Sequence, residues 1–280
     1  RGDVTLTASL LGQLGENGVG VVFLSGRRHK PTLMLARPHN DAARRVAQIR
    51  KSMDPVFCLA FSRDLVERKL AGQIEWFDEM RNQDMQVRYE LTHAMRLLEE
   101  QHSRIQQAVS IGSLRGMEGA AAAVYFEGLK ANVPESWHFR SRNRRPPKDP
   151  FNALLSLTYT MAHAEVAIAL FGAGFDPYVG FYHALDFGRE SLASDLLETL
   201  RHRCDSFCLK LVKKQIITTN DFSTTESGCL LGKAGRARYY AAYEENSEII
   251  RSALQREVDD LADCVGHILQ AQLFEEGEAP

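Results

Sequence analysis

Ser191-Leu-Ala-Ser-Asp195-Leu-Leu-Glu198-Thr-Leu-Arg-His202-Arg-Cys-Asp-Ser-Phe-Cys-Leu-Lys-Leu-Val212 carries the period that decides the fold. At about 100° per residue, Leu192, Leu196, Leu197, Leu200, Cys204, Phe207, Cys208 and Leu211 fall on one broad stripe, the signature of a helix packed on a core. Asp195, Glu198 and His202 fall together near the opposite face. Carboxylates three residues apart on a helix are neighbours, roughly 5–6 Å between Cβ atoms. On a wet face they repel each other and gain nothing, whereas a divalent cation offsets the repulsion. The helix alone reads either as a solvated acidic surface or as one wall of a metal site.

The same period recurs on both sides of this stretch. It predicts helices over residues 41–53, 55–70, 86–109, 118–130, 150–171 and 191–214 and one or two over 234–272, with Asp54-Pro55 a natural helix start. Residues 218–231 are turn-rich and read as a small hairpin. At the beginning, residues 4–6 read as the end of a strand, 8–14 as a short helix and 19–24 as a buried strand. Gly15-Glu-Asn-Gly-Val-Gly20 is a turn rather than a phosphate loop, because a strand and not a helix follows it. The expected fold is mainly α: a helical domain over residues 39–280, preceded at 1–38 by the remnant of a β-rich N-terminal domain.

A length of 280 residues allows one large domain or two modest ones. Apolar runs stay short of the roughly 18–20 residues that a membrane span needs; the richest, 162–174, is interrupted by His163 and Glu165. Residues 1–14 lack a basic head followed by an apolar block, so the expected setting is cytoplasmic, with no membrane. The five cysteines are scattered, and Cys204 and Cys208 have no second pair to complete a zinc site. They read as reduced core or boundary thiols. Net charge is −2, which excludes a polycation, yet Arg140, Arg142, Arg144, Arg145 and Lys148 crowd one short stretch. Such a cluster is either a solvated loop or a strip that meets nucleic acid.

His183 favours the metal reading of the acidic face. It follows Asp176-Pro177-Tyr-Val-Gly180-Phe-Tyr, a loop built for tight turning, and lies twelve residues before Asp195 and fifteen before Glu198. A loop folding back at the helix start can bring the imidazole to the carboxylates. Imidazole plus carboxylate oxygens suits Mg²⁺ or Mn²⁺ better than structural zinc.

Four ordered blocks make the chain recognisable. They are Arg115-Gly-Met-Glu118-Gly-Ala-Ala-Ala-Ala-Val-Tyr125-Phe126; Phe139-Arg-Ser-Arg-Asn-Arg-Arg145-Pro-Pro-Lys-Asp149-Pro-Phe-Asn152-Ala-Leu-Leu-Ser156-Leu-Thr-Tyr159; Asp176 to His183; and Arg189-Glu-Ser-Leu192-Ala-Ser-Asp195-Leu-Leu-Glu198. Together they resemble the universal integrase family of CRISPR adaptation. Weaker likeness extends through Val21–Gly26 and Arg44–Gln48. The resemblance implies that Glu118, His183 and Glu198 are metal ligands and that Asp195 is an acidic neighbour needed for activity. His202 matches no ligand of the family and reads as a bystander or as a support for the ligands.

The activity implied is that of a DNA integrase/endonuclease dependent on Mg²⁺ or Mn²⁺, which inserts captured double-stranded DNA fragments into the repeat array. A 3′-hydroxyl attacks a target phosphodiester, and Arg140, Arg142, Arg144 and Arg145 hold the DNA backbone. Two alternatives stay open: a metal nuclease that only processes DNA, and a non-catalytic subunit that holds it. The resemblance also implies a homodimer, two copies of which flank a small ferredoxin-like CRISPR partner protein. The family's N-terminal β domain has more strands than residues 1–38 supply, as for a truncated chain or the end of a reverse transcriptase fusion. Removing any of the three ligands is expected to leave the fold intact. Asp195→Asn, which keeps shape and some hydrogen bonding, is expected to be milder than losing a ligand.

Overall fold

The computed structural model describes residues 5–24, 31–35, 42–143, 146–184, 186–226 and 228–266. Eight helices and two hairpins follow one another among them: α1 Ala8–Glu16, β1 Val21–Leu24, β2 Pro31–Met34, α2 Ala42–Ser52, α3 Pro55–Gln83, α4 Arg88–His102, α5 Ile111–Asn132, α6 Pro150–Gly172, α7 Ser191–Lys213, β3 Phe222–Thr225, β4 Gly228–Leu231 and α8 Lys233–Val265. The mainly α expectation holds. Of the strand expected at 4–6, Val4 lies outside the described residues, and Thr5 and Leu6 are not in a strand. The arginines at 144 and 145 and the end of the helix expected to reach 272 also lie outside them.

The chain divides into two compact units. The first gathers Arg1–Cys58, Thr160–Leu197 and Ser252–Pro280. In it, Thr7 caps α1 by accepting from the Leu10 amide at 3.2 Å. Strands β1 and β2 pair antiparallel, with Val21 opposite Met34. Gly20 enters the hairpin where a Cβ would lie 2.7 Å from Ile168 Cγ2, so only glycine lets the strand come that close to α6. Helix α2 buries Ala47 and, unusually, Gln48.

The second unit gathers Leu59–Tyr159 and Glu198–Arg251. Its core includes Leu65, Leu70, Phe77, Leu91, Leu98, Ile105, Leu114 and Tyr125. Helix α3 runs well past residue 70, the expected end. Its interior Gly72 conceals the continuation from a reading of propensity, because glycine costs a helix about 1 kcal/mol relative to alanine. The glycine has a packing reason: a Cβ there would lie 2.5 Å from Cε1 of His202. The pattern over 86–109 proves shorter as a helix. After α4, the chain turns at Ser103 and Arg104 into a single 3₁₀ turn, Ile105–Gln107. Helix α5 begins at Ile111, because Ser110 and Ser113 form a reciprocal capping box. The hairpin expected in 218–231 is β3–β4, in which Phe222 faces Leu231. It docks through the Cys229 amide on the Pro147 carbonyl at 2.8 Å.

Helix α6 corrects the hydropathy reading. Taken whole, it is long and apolar enough to cross a membrane, with a mean hydropathy of 1.4 over its best 18-residue window. Asn152, Ser156 and Thr158 interrupt the apolar run to the eye but subtract little from its mean. Half of that window is buried within the protein, with Phe151, Leu154, Leu155, Val166 and Leu170 in the cores. Length and apolarity here are also those of a core helix. Cys58, Cys204, Cys208 and Cys229 are buried free thiols, and Cys264 is exposed.

Candidate active site

In the first unit the His183 loop is pinned at several points. Arg44 donates to the Ala173 carbonyl at 2.6 Å. The buried Gln48 amide donates to the carbonyls of Asp176 and Val179 at 2.8 and 2.7 Å and accepts from the Asp176 amide at 2.9 Å. A glutamine with no water around it is stable only when both ends of its amide are used, and here they fix the loop. Phe181 meets Phe57 edge-on, ring centroids 5.2 Å apart. The Pro177 carbonyl accepts from the Leu192 amide at 2.9 Å, satisfying a donor at the start of α7.

Asp195 closes this arrangement. Its carboxylate is fully buried and accepts four hydrogen bonds. They come from the amides of Phe181, Tyr182 and His183 at 2.8, 3.1 and 2.9 Å, and from His183 Nδ1 at 2.7 Å. Gly180 is required beneath it, since a Cβ there would stand 2.8 Å from Asp195 Oδ2 and from the Ser191 carbonyl carbon. Asp195 therefore gathers the loop around itself and orients the imidazole. With Nδ1 given to a carboxylate, Nε2 is the nitrogen left to act as a ligand or a base.

The second unit holds Glu118 and Glu198, and with them two cations that sequence reading did not single out. The Lys69 ammonium donates to Glu118 and, at 2.7 Å, to Glu198 Oε2. Arg201 pairs with Glu198 Oε1 at 2.8 Å. The Glu198 and Lys69 side chains are each only 6% exposed, against 23% for Glu118. A solvated acidic surface is thereby ruled out for Glu198, as the full burial of Asp195 rules it out there. Burial by itself would raise the Glu198 pKa, but the Arg201 guanidinium and the Lys69 ammonium outweigh it and hold the carboxyl well below its usual range. For Lys69, burial pulls the pKa down and the two glutamates more than restore it, so the ammonium stays charged.

Arg201 also lies 4.7 Å over the ring of Tyr159. The hydroxyl of Tyr159 and, at 2.7 Å, that of Tyr125 donate to the buried Asp205. Burial raises the Asp205 pKa to about 6 despite those hydroxyls and the nearby Arg201 and Arg142. Tyr125, of the first recognised block, stacks on Phe77 at 5.1 Å. His202 is no part of this ion cluster. It packs on Gly72, and burial lowers its pKa to about 4, which keeps it neutral.

The basic loop separates into unlike members. Arg140 is exposed. Arg142 turns inward, bonding the Asn143 carbonyl, Asn152 Oδ1 at 2.9 Å and Ser156 Oγ at 3.1 Å, and it lies over Tyr159 at 5.3 Å. Asn152 in turn donates to the Ser141 carbonyl at 2.9 Å. That network accounts for the Asn and Ser of the second block.

Among the described residues, no three His, Cys, Asp or Glu side chains gather closely enough to form a metal site as they stand. The donor set nevertheless fits a divalent cation. Two carboxylates from different helices already converge on one cationic atom, Lys69 Nζ, and their oxygens are the hard donors that Mg²⁺ and Mn²⁺ take. Lys69 had a legible signal: it lies four residues after Leu65 and four before Gln73, on the buried stripe of α3, where an unpartnered lysine is not tolerated. Arg201 had only its i+3 spacing from Glu198.

The family described as CRISPR associated protein Cas1 matches residues 1–245. The chain belongs to the Cas1 family. It is 37% identical over 264 residues to a CRISPR-associated endonuclease Cas1 of Thermodesulfovibrio yellowstonii, covering 93% of this chain and 83% of that protein. Among solved structures it is similar to a Cas1 protein from Thermotoga maritima, with a TM-score of 0.79 at 20% identity over 95% of this chain and 85% of that one. It is also similar to a chain of a partial Cas6-RT-Cas1–Cas2 complex, with a TM-score of 0.75 at 25% identity over 93% of this chain and 81% of that one. The Cas1 family thus confirms the resemblance read from the four blocks, and its curated members are named as endonucleases.

Proposed function

We propose that this Cas1-family chain is a divalent-metal-dependent DNA integrase of CRISPR adaptation. It would join the 3′-hydroxyl of a captured double-stranded DNA fragment to the repeat array in the cytoplasm, as part of antiviral defence. The observation that carries the reading is the convergence of Glu118 and Glu198 on a single buried cation. These two carboxylates would hold Mg²⁺ or Mn²⁺, and the family resemblance assigns His183 as a further ligand, with Nε2 the nitrogen that its bond to Asp195 does not use. A divalent ion held there would supply Lewis-acid polarisation of the target phosphodiester. Asp195 keeps the imidazole aimed, and Arg201 keeps the Glu198 carboxylate ionised and fixed. With water in place of the hydroxyl, the same residues hydrolyse DNA.

The proposed assembly is a homodimer, two copies of which flank a small ferredoxin-like CRISPR protein. The similarity to a chain of a Cas6-RT-Cas1–Cas2 complex supports a CRISPR protein partner and a fused reverse transcriptase. The deciding experiment supplies a 3′-hydroxyl DNA fragment, a repeat-bearing plasmid and Mn²⁺. Joined product, lost in Glu118→Ala, is expected. Cleavage with no joined product would reduce the function to DNA processing. Neither product, with DNA still bound, would leave a holding subunit.

DNA binding measured without metal distinguishes the arginines. Each phosphate contact that is lost should reduce the slope of log affinity against log salt by about 0.7–0.9. Arg140→Ala is expected to do so equally for unrelated DNA sequences, because backbone contacts carry no base information. Arg142→Ala is expected to leave the slope unchanged while lowering the melting temperature, since its partners are internal. The opposite pattern would show that Arg142 leaves its network to meet DNA.

A further inference from the structure

We infer that Lys69 is the metal's place-holder: its ammonium occupies the position between Glu118 and Glu198 that the divalent ion takes, and metal entry displaces it. The inference rests on the metal role just proposed for the two glutamates. Its physical ground is that both carboxylates would otherwise face each other with little water to separate them, since the Glu198 and Lys69 side chains are each 6% exposed. Like charges so placed repel strongly at low dielectric. Lys69, donating to both, holds them converged.

The ammonium and a divalent ion cannot share those oxygens. Glu198 Oε1 is already committed to Arg201 at 2.8 Å, and Oε2 is the oxygen that Lys69 uses at 2.7 Å. A metal that takes Oε2 and Glu118 therefore meets a positive charge in its own place. The charges of the two glutamates, Lys69 and Arg201 cancel one another. Bringing in a divalent ion leaves the cluster positive unless an anion arrives too, and a DNA phosphate is such an anion. Lys69 thus weakens binding of the metal alone and couples it to binding of DNA. It acts through the ligands rather than on the reacting atoms, which makes it a positioning residue.

The test is Mn²⁺ binding in the absence of DNA, followed by calorimetry or by the free-ion paramagnetic resonance signal. Lys69→Met, which keeps the length of the side chain and removes its charge, should bind Mn²⁺ about tenfold more tightly than wild type or better, while its metal-free form melts at lower temperature. Lys69→Arg should bind close to the wild-type value. Equal or weaker Mn²⁺ binding by folded Lys69→Met would overturn the place-holder role and leave the metal site standing. No Mn²⁺ binding by either wild type or folded Lys69→Met, or Mn²⁺ binding unchanged by Glu118→Ala, would instead overturn the metal reading itself. If Lys69→Met does not fold, reductive methylation of the wild type decides. Lys69 should be protected without metal and modified several-fold faster with Mn²⁺, and an unchanged rate would overturn the inference.

Discussion

Asp195→Asn is expected to cost about 3–5 kcal/mol of stability and to abolish metal-dependent DNA cleavage. The carboxylate accepts from three backbone amides and one imidazole nitrogen, and it has no exposed surface. An asparagine oxygen can accept two of those four, but its NH₂ group must then face the remaining donors. Each buried donor left unsatisfied costs about 1–3 kcal/mol, with more at stake where the acceptor was charged. The expectation of a mild effect, drawn from conserved shape, gives way to this count of donors. Denaturant titration of the variant beside wild type measures it. A stability within about 1 kcal/mol of wild type would mean that the loop does not depend on the carboxylate's charge.

Glu198→Ala is expected to be nearly as severe, and more so than Glu118→Ala. Removing Glu198 leaves Lys69 with Glu118 alone and Arg201 beside a cavity, in side chains 6% and 16% exposed. Breaking a buried ion pair from one side costs about 3–5 kcal/mol, because the remaining charge is uncompensated. Removing Glu118, which is 23% exposed, leaves Lys69 still bonded to Glu198, and the loss should be about 1–2 kcal/mol. Both variants should lose metal-dependent activity. Removing the Glu118 side chain is therefore expected to disturb the fold less than removing that of Glu198. Thermal melts in chelator, where metal contributes nothing, make the comparison clean. Equal losses in the two variants would contradict the central position of Glu198 in the cluster.

Most of the secondary structure was legible in the sequence because helices that bury one face must repeat their apolar residues at helical spacing. Over 191–213 this gave α7 nearly to the residue. It failed in α3, where Gly72 reads as a weak point and is in truth the clearance for His202, a contact 130 positions away in the chain. It failed again at 103–109, where the apolar spacing continues although the helix does not.

The sequence by itself determined the family and the roll of polar residues, since the four blocks are local strings that keep their order whatever the packing. It could not say which charges those residues meet. Asp195 and Glu198 stand one turn apart on α7 and look alike in the sequence, yet Asp195 is spent on amides of the His183 loop and Glu198 on Lys69 and Arg201. Arg140 and Arg142 look alike as well, and only one of them faces solvent. Local spacing fixes the face a side chain occupies. Its partner is fixed by which distant segment desolvates it, and for a buried charge that partner decides whether it serves as a ligand, a support or a counter-ion.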